Sequence, residues 1–258
     1  MPRPGPRVAP DVRRGVEFSI ATGVAELRDG PDGTTFLWVN GVPSSPLDPD
    51  PAFLAFEYMR HMSAAVDAWG PPARMLALHV GAAACAFPRH LAHRLPDSGH
   101  IAVDVDTRLP ELVRQWWDLP RAPRLRIRAQ DGLEALESRR DASLDLVVRD
   151  AFAGDQTPPH LASVRWWTQA RRVLRPGGLV LANVGTSPGS RGAAVDVAAA
   201  REALGDAVAI AEHAVLKGRR RGNVVLAAVP GGAIDLVALR RYAASAALPT
   251  GVSPQWAG

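Results

Sequence analysis

Carboxylates and glycines at the ends of apolar runs are the residues of this chain whose types and spacing could do chemistry. Met75-Leu76-Ala77-Leu78-His79-Val80-Gly81 is a short apolar run closed by a glycine, and Ile101-Ala102-Val103-Asp104-Val105-Asp106 is a second run closed by acids. A buried parallel strand, a tight turn into a helix and a carboxylate at the next strand tip form half of a nucleoside site. The turn brings backbone N–H groups and a helix N-terminus to the ligand, and the carboxylate accepts from ribose hydroxyls. Asp104 follows Gly81 by roughly 20 residues, the separation such a unit needs, so both are read as nucleoside-binding. Asp150 closes another apolar run, Leu144 to Asp150. A carboxylate at the tip of a central parallel strand points into the cleft where ligands bind, which makes Asp150 the candidate catalytic residue. Glu57 and Tyr58 border a candidate substrate pocket, and His160, after Pro158-Pro159, is a candidate second proton acceptor. Cys85 has no basic partner at a legible spacing and is read as a packed residue of the first helix of this unit. His79, inside an apolar strand, is read as a core histidine.

The elements that must position these groups follow from periodicity and turn residues. Residues 1–15 are rich in Pro, Arg and Gly and are expected to be a disordered tail. Residues 16–45 are expected to form a small antiparallel unit. Its strands are Val16–Ile20, Gly23–Leu27 and Thr34–Val39, turned at Asp29-Gly30-Pro31-Asp32-Gly33 and followed by a loop over Gly41 to Pro46. Residues 46–230 are read as one Rossmann-like domain led by a helix from about Pro51 to Trp69, stopped at Gly70-Pro71-Pro72. Strands and helices then alternate, the mark of a parallel sheet covered on both faces. Strands are expected at Leu125–Ala129, Leu144–Asp150 and Leu179–Val184, with a helix from His160 to Leu174 terminated by Arg175-Pro176-Gly177-Gly178. The runs 207–212 and 223–229 lie too close for a crossover helix and are read as an antiparallel pair at the sheet edge. Residues 231–258 complete the chain as a helix and tail. The fold class is therefore α/β: a three-layer class I methyltransferase-like sheet with a terminal antiparallel pair, preceded by a small N-terminal β unit.

Composition removes several classes of function. With 47% hydrophobic and 22% charged residues the chain has the make-up of a soluble globular protein. No apolar run approaches the roughly 20 residues of a membrane span, and the N-terminus lacks a signal-peptide core, so a cytoplasmic location is expected. A single cysteine rules out an internal disulfide and a cysteine-based zinc site, and no metal is expected. The net charge of +4 rests on arginine, Lys217 being the only lysine. Lys217-Gly218-Arg219-Arg220-Arg221 is read as a solvated turn. Neither it nor the alternating Arg124, Arg126 and Arg128 carries aromatic stacking residues, so nucleic-acid binding is disfavoured. Trp116-Trp117 and Trp166-Trp167 are read as core or subunit contacts.

Taken in order, several segments resemble the spermidine synthase family, in its divergent spermidine-synthase-like branch. They are Trp38-Val39-Asn40-Gly41-Val42-Pro43-Ser44-Ser45, Phe56-Glu57-Tyr58-Met59, Val103-Asp104-Val105-Asp106, Gln130-Asp131-Gly132, Val148-Arg149-Asp150-Ala151-Phe152-Ala153-Gly154-Asp155 and Leu174-Arg175-Pro176-Gly177-Gly178. The resemblance spans about 16–229. It implies decarboxylated S-adenosylmethionine, or S-adenosylmethionine itself, as co-substrate, and a small-molecule amine or other nucleophile as acceptor. It also implies a homodimer. By position Asp104 would hold the ribose hydroxyls, Asp131 with Gly132 the adenine, and Asp150 would be the catalytic aspartate, with Asp155 near the substrate. A diamine is cationic at pH 7, so a carboxylate attracts it and can take the proton released as nitrogen attacks the sulfonium carbon. The chain departs from the family where a glycine- and aspartate-rich loop is replaced by Gly81-Ala82-Ala83-Ala84-Cys85, which lacks the acid that would meet an aminopropyl ammonium. Pro43-Ser44 also stand where the family places a gripping glutamine. A methyltransferase on the same scaffold, and a non-catalytic binding protein, are the alternatives.

Overall fold

The computed structural model describes residues 14–30, 33–81, 83–154 and 156–258. The expected tail therefore lies outside the described residues up to 13, as does Asp155.

The chain opens with an antiparallel four-stranded sheet, β1 (Glu17–Ile20), β2 (Gly23–Asp29), β3 (Thr35–Val39) and β4 (Val42–Leu47), paired in chain order. The segment expected to be a loop after Gly41 is the fourth strand. Asn40 and Gly41 both take positive φ, 51° and 76°, as a two-residue hairpin turn requires. Pro43 and Pro46 are tolerated because β4 pairs on one side only.

The leading helix α1 (Glu57–Trp69) starts later than the periodicity implied. Asp48 accepts from Asp50 N and Asp50 from Ala52 N, so side-chain turns flanked by Pro49 and Pro51 hold this stretch out of the helix. Gly70 ends α1 in the left-handed conformation.

The main sheet has eight strands. Its parallel part comprises β5 (Leu76–Val80), β6 (Gly99–Asp104), β7 (Leu125–Ala129), β8 (Leu144–Arg149) and β9 (Leu174–Thr186). Three antiparallel strands complete it: β10 (Val208–Glu212), β11 (Gly222–Ala228) and β12 (Thr250–Ser253). The spatial order is β12-β10-β11-β9-β8-β5-β6-β7. The expected edge pair is thus internal, because β12 covers β10, and a one-turn helix, α7 (His213–Leu216), lies between β10 and β11. Strand five is longer than expected. Its helix ends at Val173, and Arg175-Pro176-Gly177-Gly178 belongs to β9, where a register shift between Leu144 and Leu146 absorbs the irregular backbone. The expected helix over 160–174 is divided into a 3₁₀ turn, Pro159–Ala162, and α5 (Val164–Val173), because Ser163 is extended and caps α5.

Helices α2 (Ala86–Arg94) and α3 (Leu109–Trp116) follow β5 and β6, and α4 (Gly132–Glu137) follows β7. Helices α6 (Gly192–Leu204) and α8 (Leu236–Ser245) complete the layers. One face of the sheet packs on Trp166, Trp167 and Val197, the other on Met62, Leu91 and Leu239. A third cluster joins Leu27 and Leu37 of the small sheet to Trp116 and Trp117. Both tryptophan pairs are therefore core. The Arg149 guanidinium lies 5.0 and 4.8 Å over the Trp166 and Trp167 rings and forms a buried ion pair with Asp196. Among the described residues no helix is long and apolar enough to cross a membrane.

Candidate active site

The strand order reverses between the parallel neighbours β5 and β8. From β5 the chain runs outward to β6 and β7, and from β8 outward to β9. The crevice beyond the strand tips at such a point is where open α/β sheets bind ligands. A cleft of about 1000 Å³ lies there, bordered by the tips of β5, β6 and β8, by β4 and by the start of α1.

Gly81, at the tip of β5, stands between Asp104 at the tip of β6 and Asp150 beyond β8. Gly81 has φ +80°, and a Cβ on it would lie 2.3 Å from the Asp150 carbonyl oxygen, so the approach of two strand tips demands glycine. The turn continues through Ala83 (φ 40°) and Cys85 (φ 60°), two side-chain-bearing residues in the left-handed region. That conformation costs roughly 1–2 kcal/mol per residue without glycine. Ala83 N donates to one oxygen of Asp104 (3.2 Å) and Asp106 N to the other (3.0 Å). Each oxygen keeps acceptor capacity for a hydroxyl. Burial raises the Asp104 pKa against the lowering effect of these two bonds. Asp106 starts the next turn, as expected. It accepts from Arg108 N, Leu109 N and both Thr22 donors, tying α3 to the small sheet. Cys85 is fully buried, and burial pushes its thiol up to about 12, so it is packing rather than nucleophile.

Asp131 and Gly132 border the same cleft. Asp131 caps α4, one oxygen accepting from Leu133 N (2.8 Å) and Glu134 N (3.2 Å). Its other oxygen pairs with His160 Nε2 at 2.8 Å. Burial raises its pKa, but the His160 and backbone bonds outweigh this and hold the carboxyl below its usual range. Gly132 is fixed by packing, since a Cβ would lie 2.2 Å from the Val80 side chain.

Asp150 is held by two side chains. Tyr58 OH donates to Oδ2 and Asn183 Nδ2 to Oδ1, both at 2.8 Å. Burial pushes the Asp150 carboxyl up to about 6, against the lowering effect of Asn183, Tyr58 and the Arg149 charge. Burial, then the Asp150 charge, pushes the Tyr58 hydroxyl well above its usual value, so it remains a donor. The structure thus joins Tyr58 to Asp150, while His160 joins Asp131. Asn183 was missed from the sequence. Its signal is legible afterwards, as the one polar side chain in the apolar run Leu179-Val180-Leu181-Ala182-Asn183-Val184. Glu57, Arg60, Glu212 and Arg220 also line the cleft. Arg220 pairs with Glu212, so this part of the basic cluster borders the cleft rather than forming only a solvated turn.

No family model matches the chain. A probable spermidine synthase from Corynebacterium glutamicum is similar in structure, with a TM-score of 0.86 and 32% identity, over 95% of this chain and 92% of that one. Human methyltransferase-like protein 13, in complex with SAH, shares the fold at a TM-score of 0.59 and 18% identity, over 74% and 90% of the two chains. A probable polyamine aminopropyl transferase of Bifidobacterium longum is 25% identical over 133 residues, 52% of this chain. That match spans 28% of the curated relative's length.

Proposed function

The chain belongs to the spermidine synthase-like family, and from that premise we propose that it transfers an aminopropyl group from decarboxylated S-adenosylmethionine to an amine. The observation that carries this reading is Asp150, a half-buried carboxylate with its pKa raised to about 6, bracketed by Tyr58 and Asn183 beside a nucleoside-type turn. The groups at this turn suit a nucleoside. Asp104 retains acceptor capacity for ribose hydroxyls, and the exposed Val105 side chain beside it offers an apolar surface to a base.

When bound, the sulfonium co-substrate supplies an already activated carbon, so the protein's task is alignment and proton removal. Above pH 6 Asp150 is ionised and attracts the cationic acceptor. As the N–C bond forms and the C–S bond breaks, Asp150 takes the proton lost by nitrogen, and the thioether leaves neutral. Tyr58 and Asn183 keep the carboxylate in one orientation through both states.

One observation favours a second reading, methyl transfer from S-adenosylmethionine. The turn carries Ala83, Ala84 and Cys85 and offers no acid to an aminopropyl ammonium. Calorimetric titration with S-adenosylmethionine, decarboxylated S-adenosylmethionine and methylthioadenosine separates the readings. Tighter binding of the decarboxylated form supports aminopropyl transfer. Preference for S-adenosylmethionine supports methyl transfer, and binding of none of the three removes both.

A further inference from the structure

Among the described residues two oppositely charged side chains of the cleft make no ion pair within 4 Å. Glu57 and Arg60 both line it, three residues apart in the first turn of α1, on either side of Tyr58 and Met59. Opposite charges at this spacing share a helix face and normally meet. Here they do not. Among the described residues the Glu57 carboxylate has no hydrogen bond or ion pair within 4 Å. Among the described residues the Arg60 hydrogen bonds run only through Nη1, to the carbonyls of Leu54 (2.8 Å) and Ala55 (3.1 Å), which leaves its remaining N–H groups without a protein acceptor while its charge acts on Glu57 from a distance. Burial raises the Glu57 pKa against the lowering effect of the Arg60 charge, with smaller opposed contributions from Glu212 and Arg220. The other charged pair at this wall, Glu212 with Arg220, is already joined.

An acceptor whose only charges are ammonium groups would satisfy Glu57 and be repelled by Arg60. A ligand bearing both an ammonium and a carboxylate at its far end satisfies both. We infer that the acceptor is an amine with an amino-acid head, gripped by Glu57 through its ammonium and by Arg60 through its carboxylate, while its distal amine meets Asp150. This rests on the transferase reading and replaces a plain diamine with a zwitterionic one.

Ornithine and 1,4-diaminobutane differ only by that carboxylate, which makes them the test pair. With the protein saturated by methylthioadenosine, calorimetric titration is expected to show ornithine binding at least tenfold more tightly than 1,4-diaminobutane. Arg60→Gln should abolish the difference, and Arg60→Lys, which keeps the cation, should retain most of it. Glu57→Gln should weaken both ligands. Equal or tighter binding of 1,4-diaminobutane by the unaltered protein overturns the inference and leaves transfer to a diamine standing. Binding of methylthioadenosine with neither amine also overturns it. Failure to bind methylthioadenosine sinks the transferase reading itself. The comparison in the unaltered protein decides the matter even if Arg60→Gln does not fold for want of its bonds to Leu54 and Ala55.

Discussion

At the proposed nucleoside end of the cleft Asp104 is oriented by backbone N–H groups, and Asp131 by backbone N–H groups on one oxygen and His160 on the other, whereas at the proposed reaction end Asp150 is held by the side chains of Tyr58 and Asn183. A carboxylate held by backbone depends on the shape of the turns beside it, for Asp104 its own and the one that follows β5. A carboxylate held by side chains depends on distant elements and can be tuned by changing one of them. The first arrangement suits binding of a constant group, the second suits a proton acceptor whose pKa must sit near neutrality.

If the ends are separable in this way, Asp150→Asn should lower turnover by about 10²–10⁴, the usual worth of a positioned general base, with nucleoside affinity unchanged. Steady-state kinetics beside calorimetry checks this, and a matching loss of nucleoside affinity would break the distinction. Gly81→Ala should damage both ends together, because its Cβ would lie 2.3 Å from the Asp150 carbonyl oxygen and 2.5 Å from Ala151 Cα. Backbone clash and a positive φ together are expected to cost a few kcal/mol, read as a lowered melting temperature and lost binding.

Tyr58→Phe sharpens the account of the reaction end. The Tyr58 bond lowers the Asp150 pKa, so its removal lets burial raise it further. A base must be ionised, so activity falls as pH drops through that pKa. The acid limb should move up from about 6 by about one to two pH units, the equivalent of one charge-assisted hydrogen bond. Activity should recover at higher pH, and nucleoside affinity should stay fixed. The smallest effect is expected from Ala83→Gly. Relief of φ 40° at a side-chain-bearing residue should tighten nucleoside binding or raise stability by about 1 kcal/mol, partly offset by the freer unfolded chain.

The same contrast explains what could be read from the sequence. The part of the cleft lined by Gly81 and Asp104 is local. Gly81, Asp104 and the strands that carry them lie within one strand–helix–strand unit, so apolar runs closed by glycine and acid were enough. Asp150 was legible because the tip of a central parallel strand faces the crevice whatever its partners are. Its partners were not legible as partners. Tyr58 lies 92 residues away and Asn183 lies 33 away, and only the strand order brings them to the carboxylate. Strand β4 was obscured by Pro43 and Pro46, although Asn40-Gly41 signals a hairpin. Strand β12, Thr250-Gly251-Val252-Ser253, is too short and too polar to show a period and exists because β10 offers it an edge.

Release of methylthioadenosine from decarboxylated S-adenosylmethionine, measured against pH with 1,4-diaminobutane and ornithine both supplied, tests the central claim most directly. The account predicts release in the unaltered protein with an acid limb near pH 6. It predicts almost none in Asp150→Asn at any pH, while that variant still binds methylthioadenosine. Equal release by Asp150→Asn, with the same limb, would contradict it.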